Sequence, residues 1–198
     1  MKNHNIINEY LEYDNIHSKN YKKYLVLLTV GSFYEVYSII PDDNKLKEIS
    51  EAINIDETSI IKLMNHESGL DPSIKNSIGC VGLIQFCPSS GGTKKINGKS
   101  YSLEDLRYDL EAQMDAIKQF WFTGYNSGKI KSAEDLYIYN FFPIAAGKPD
   151  DFVLQAKGLS ATAVAKANPG FNKKLGKPVS SPLTVGDMKK YYRQTGMA

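Results

Sequence analysis

Glu67 ends a stretch that reads as a helix from Asp56 onward, and Ser68-Gly69 and then Pro72 follow it. The carbonyl-rich end of a helix disfavours negative charge, and apolar neighbours disfavour it further. This carboxyl is therefore expected to keep its proton to a higher pH than usual. A carboxyl still protonated near neutrality is suited to protonating a leaving oxygen, such as that of a glycosidic bond. His66, one residue earlier, points about 100° away on a helix and reads as structural. A two-carboxylate glycosidase needs a second acid across the scissile bond. The candidates are Asp71, Asp105, Asp109 and Asp115. Asp71 reads as a turn residue and the other three as the solvated side of an amphipathic helix. None stands out, and a single-Glu mechanism is the simpler expectation.

Two further segments bear on that glutamate. Residues 79–86, Gly-Cys-Val-Gly-Leu-Ile-Gln-Phe, form a glycine-punctuated stretch, and Tyr139-Asn140 falls on a later helical run. Taken singly, Gly79 and Gly82 read as turn glycines, and Leu83, Ile84 and Phe86 as core. Tyr139 fits packed core as well as a cleft, and Asn140 fits a helix end. Taken together, the order Glu67-Ser68-Gly69 with Pro72, then Gly79 to Gln85, then Tyr139-Asn140 resembles the lytic transglycosylase and phage-type lysozyme superfamily over about residues 55–155. Residues 142–147 resemble its phage-type branch, and Cys80 stands where that family usually has Ala. The resemblance implies a mostly α, lysozyme-like (α+β) domain with Glu67 as catalytic acid/base. It implies Ser68, Gly82, Gln85, Tyr139 and Asn140 as substrate-binding residues. The implied reaction is cleavage of the β-1,4 bond between N-acetylmuramic acid and N-acetylglucosamine in peptidoglycan, by lytic transglycosylation or by hydrolysis. It implies no metal and no cofactor.

The N-terminal part reads differently. Residues 7–53, through the stretches 8–13 and 22–37 with Gly31-Ser32-Phe33-Tyr34-Glu35, resemble the start of the mismatch-recognition domain of MutS proteins. That resemblance implies Phe33 as a wedge beside a mispaired base and Glu35 as its hydrogen-bond partner. A catalytically inactive wall-binding or virion structural module is a third reading. Residues 1–56 carry six Lys against nine acids, and the remainder eighteen Lys or Arg against thirteen. An acidic N-terminus argues against phosphate contacts, and a basic remainder suits an anionic wall.

Periodicity predicts helices at 6–24, 45–53, 56–68, 103–122, 133–142, 152–156 and 187–193, a β-like stretch at 25–40, and a loop-rich connection at 157–182. Asp56 and Ser102 are the N-caps, the latter with Asp105 three residues on. The expected division is a small α/β segment at 1–54 and the lysozyme-like domain at 55–198.

With 198 residues, 42% hydrophobic and 23% charged, the chain can bury a core. No apolar run is long enough for a membrane span. A net charge of +2 is too weak to indicate nucleic acid by itself. Three scattered histidines and two cysteines give a metal cluster little to draw on. The polar start lacks the apolar core of a leader, so the expected location is cytoplasmic when made, or virion-associated and released to act on the wall. Cys80 and Cys87 are accordingly expected as free thiols, with a disulfide as the alternative in an oxidising compartment.

Overall fold

A computed structural model describes residues 23–25, 39–41, 43–88 and 91–198. They fall into two compact units, Met1–Asp43 and Asn44–Ala198. In the first, β1 (Lys23–Leu25) pairs antiparallel with β2 (Ile39–Pro41), with Lys23 opposite Pro41 and Leu25 opposite Ile39. Lys23 and Tyr24 are thus in a strand, not at the end of the helix expected over 6–24: Tyr24 opens the apolar run that follows it. Phe33 and Glu35 lie outside the described residues.

The second unit is mostly α, as expected. Among the described residues the chain has eight helices: α1 (Asp43–Ile53), α2 (Glu57–Ser68), α3 (Leu103–Leu106), α4 (Leu110–Asn126), α5 (Ala133–Phe141), α6 (Ala161–Ala167), α7 (Pro169–Lys174) and α8 (Val185–Gln194). All of α1 but its first residue belongs to this unit, so the boundary falls at 43/44, not at 54/55. The reason is burial: Leu46, Ile49 and Ile53 on one side of α1 are 5%, 1% and 0% exposed. A hairpin of β3 (Thr93–Ile96) and β4 (Lys99–Ser102) turns at Asn97-Gly98, both with positive φ. That is the backbone a two-residue hairpin turn requires and Asn-Gly tolerates.

The helix expected over 103–122 is two helices. Ser102 and Asp105 form the capping box of α3. The chain then breaks, and Asp109 caps α4 by accepting from the Ala112 N–H at 2.9 Å. The break is stabilised from inside, because the Gln113 amide donates to the Leu106 carbonyl at 2.8 Å. The expected helix at 152–156 is absent; Val153 and Ala156 instead form isolated bridges to Thr184 and Leu159. The connection expected as loop holds α6 and α7, the first capped by Ser160 and the second opened by Pro169. The core gathers around Trp121, Ile117, Leu106, Leu63 and Tyr137, each at most 1% exposed. No helix among the described residues is long and apolar enough to cross a membrane.

Candidate active site

Helix α2 has well-defined ends. The Asp56 carboxylate accepts from the Ser59 N–H at 2.9 Å, and Gly69, at φ 63°, donates its N–H to the Asn65 carbonyl at 2.8 Å. Its inward face is Ile60, Leu63 and Met64. Glu67 is the next position on that face, three and four residues beyond Met64 and Leu63. The apolar stripe therefore ends in a carboxyl. Burial pushes that carboxyl up to about 7, against an opposing hydrogen bond from Asn140.

Asn140 is set by three elements. Its Nδ2 donates to the Ile84 carbonyl at 3.3 Å, and its Oδ1 accepts from the Trp121 indole N–H at 3.3 Å. Tyr137 lies three residues before it on α5, sharing its side of the helix. The Tyr137 ring stacks on Tyr191 of α8 at 6.2 Å, and both phenols feel the Glu67 charge. Burial holds both phenols above their ordinary value. His66 meets the same two rings edge-on, at 5.8 and 5.9 Å, a packing contact as expected of it.

The glycine-punctuated segment is a tight turn. Val81 and Phe86 exchange backbone hydrogen bonds of 3.0 and 2.8 Å, closing a loop over residues 82–85. That bridge sets Cys80 and Cys87 side by side, and they form a disulfide where free thiols were expected. Gly82 is at φ 76°, and a Cβ there would sit 2.6 Å from Gln113 Oε1, so the position needs glycine twice over. The fully buried Gln113 amide accepts from the Leu83 N–H at 2.7 Å and donates to the Pro72 carbonyl at 3.0 Å. With its bond to Leu106, this one side chain ties the turn, the chain leaving α2 and the α3–α4 break together.

Of the sequence-predicted residues, the structure brings together Glu67 and Asn140, with the Gly82 turn behind them. Ser68 faces inward, donating to the Met64 carbonyl at 2.9 Å, which leaves its hydroxyl a helix contact. Gln85, at φ 56°, donates its Nε2 to the Gly82 carbonyl at 3.0 Å and serves its own turn. Tyr139 is core: it is 6% exposed, packs 5.0 Å from Phe120, and occupies the space that a bare Gly124 leaves. Asp71, Asp105 and Asp109 cap local turns and helices, and Asp115 accepts from Lys45 at 2.6 Å. Sequence reading missed Gln113, Trp121, Tyr137 and Tyr191. The available signal for Gln113 was a polar residue on the apolar face of its helix; for Tyr137 it was helical phase.

Two of the cavities in this unit are lined in part by α4. One of about 700 Å³ lies between α1, the hairpin turn and α4; its lining includes Lys45, Glu48, Asp115 and Phe122 but neither Glu67 nor Asn140. Another, of about 320 Å³, is lined by Phe86, Lys94, Phe120 and Thr123 and adjoins the turn through Phe86. Among the described residues no group of His, Cys, Asp and Glu is placed to hold a metal ion.

Neither a curated protein nor a solved structure matches the chain. One family model does, that of the transglycosylase SLT domain, over residues 45–120. The match opens inside α1, close to where the second unit begins, and ends before α5 and α8. It therefore contains Glu67, the Gly82 turn and Gln113 but not Asn140 or Tyr191. Over that stretch the chain is similar to the SLT transglycosylases, in agreement with the resemblance read from its motifs.

Proposed function

We propose that the Asn44–Ala198 unit cleaves the β-1,4 bond between N-acetylmuramic acid and N-acetylglucosamine in peptidoglycan, with Glu67 serving first as acid and then as base. The observation that carries this reading is a half-buried carboxyl, raised to about 7, whose side-chain partner is a neutral amide. Such a group is protonated in a large fraction of molecules near neutral pH and gives its proton up readily. The SLT match supports the glycan substrate.

In the first half, Glu67 donates its proton to the glycosidic oxygen as the bond from that oxygen to the muramic acid C1 breaks. In the second half, the Glu67 carboxylate takes the proton of the muramic acid's own C6 hydroxyl while that oxygen bonds to C1. Water is neither consumed nor released, and the product is an anhydro sugar. In this mechanism the substrate's own acetamido group stabilises the positive centre between the two steps. The four other candidate acids are committed to caps, turns or Lys45, which supports one carboxyl over two.

Mass spectrometry of sugars released from purified peptidoglycan tests this. Non-hydrolytic cleavage gives muramic ends one water lighter than hydrolysis does. Water-containing ends alone would replace the second half with attack by water, and no released sugar would remove the reading.

A further inference from the structure

Trp121 has contacts that go beyond the packing of α4. It is 0% exposed, and its indole N–H reaches Asn140 Oδ1, while Asn140 Nδ2 reaches the Ile84 carbonyl. A side-chain amide has an acceptor end and a donor end of nearly the same shape, so its neighbours choose which way it faces. An indole N–H only donates, and a main-chain carbonyl only accepts. Both select the same orientation, with oxygen toward Trp121 and nitrogen toward Ile84. The nitrogen end is then also the end available to hydrogen-bond Glu67.

We propose that Trp121 is a positioning residue for the cleavage: its N–H locks the Asn140 amide so that a donor, never a carbonyl oxygen, faces Glu67. The proposal rests on reading Glu67 as the acid/base. Its consequence falls in the second half of turnover. Once Glu67 has given up its proton, a neighbouring donor stabilises the carboxylate until it takes a proton back. A flipped amide would set an oxygen lone pair against that carboxylate and favour only its protonated form.

The other groups around Glu67 are Tyr137 from α5 and Tyr191 from α8, whose phenols titrate well above it, and His66 on its own helix, which burial holds below its ordinary value. None of them bonds the Trp121 indole among the described hydrogen bonds.

Trp121 is the sole tryptophan of the chain, so nitrogen-labelled protein gives a single indole N–H resonance. Followed by NMR from pH 5 to 9, that resonance is expected to move with a midpoint near 7, relayed from Glu67 through Asn140. In Glu67→Gln it is expected to stay flat, whereas a transition caused by His66 would survive. An immobile resonance in the folded wild type, or an equal movement in Glu67→Gln, would overturn the proposal. This readout needs no substrate, so it stands or falls separately from glycan cleavage. On wall substrate, Trp121→Phe keeps the ring bulk and deletes the donor. Turnover should fall roughly tenfold or less, the scale of one hydrogen bond, and the alkaline limb of the pH profile should move up. Adding the change to Asn140→Ala should move that limb no further. A limb unmoved by Trp121→Phe but moved by Asn140→Ala would overturn it.

Discussion

The Glu67 site and the cavity between α1 and α4 both hold acidic side chains, and they treat them in opposite ways. In the cavity, Asp115 accepts from Lys45 at 2.6 Å and from Asn97 at 3.1 Å, and Glu48 accepts from Lys118 at 2.9 Å. The Asp115 hydrogen bond in turn raises the Lys45 ammonium above its ordinary value. Each acid there is tied to a cation. Glu67 has no ion pair among the described residues; it has burial, two aromatic phenols and one amide. Its proton is exchangeable near neutral pH. Reactivity here follows from the environment of a carboxyl more than from the room beside it.

The largest expected effect is at Glu67. Glu67→Gln keeps the shape and the Asn140 contact but removes the transferable proton. Lysis of purified walls should drop by roughly 10²–10⁴-fold, the range of general acid–base help. Retention of more than a tenth of wild-type activity would make Glu67 no more reactive than the paired acids of the cavity.

The same substitution has a second, independent signature in stability. Glu67 has a higher pKa in the folded chain, about 7, than the ordinary 4.5 of an unfolded one. Between those values the folded state holds the extra proton. Stability should therefore fall as pH rises from about 4.5 to about 7 and stay lowered above it. With allowance for solvent reaching a half-buried group, the cost at pH 8 is about 2–3 kcal/mol. Glu67→Gln should recover most of it at pH 8 and little at pH 4.5, as measured by urea unfolding at the two pH values. An equal gain at both would place the effect in packing, not in charge.

How much of this was legible in the sequence depended on how local the signal was. Glu67 was legible because a cap at Asp56, a stripe at Ile60, Leu63 and Met64, and a glycine stop at Gly69 all lie within one helix. Asn140 was legible through its motif, but its neighbour was misjudged: Tyr137 is three residues away and shares its side, whereas Tyr139 is one away and points about 100° elsewhere. The break between α3 and α4 was hidden because Asp109 suits a solvated helix surface as well as it suits an N-cap. Gln113 and Trp121 were lost inside an apolar stripe. Their bonds run to Leu83 and Asn140 in other segments, and periodicity within α4 carries no information about those partners. The disulfide depended on the Val81–Phe86 pairing, which the two cysteines' spacing alone does not specify. The Asn97-Gly98 pair and the Ser160 cap were usable signals for the hairpin and α6 that the coarse reading passed over.

That disulfide gives a smaller test of the same contrast. It closes the turn whose Ile84 carbonyl holds Asn140, so it acts on the Glu67 site, and neither cysteine lines the cavity. Closing so short a loop stabilises by about 2 kcal/mol in the chain-entropy account. Cys80→Ser/Cys87→Ser should lower the unfolding free energy by about that amount and reduce turnover, with the alkaline limb of activity moving up as Asn140 loosens. A loss of stability with an unmoved limb would show that the turn holds Ile84 without the bridge.

The smallest effect is expected in the cavity, and it is the one that most directly tests the comparison. Lys45 and Asp115 are 23% and 19% exposed at their side chains and lie 2.6 Å apart. Such a pair gains Coulomb energy but loses hydration, and its net worth is about 1 kcal/mol or less. Lys45→Met keeps the aliphatic stem that packs along α1. It leaves Asp115 with the Asn97 amide and in partial contact with solvent. Unfolding free energy should fall by about 1 kcal/mol at low salt and by less at high salt, since screening weakens what the pair contributes. Wall lysis and its pH profile should match wild type, because nothing in the cavity bonds Glu67 or Asn140. If Lys45→Met shifted the pH profile by as much as Asn140→Ala does, the cavity and the Glu67 site would be one electrostatic unit, and the separation between them would be wrong.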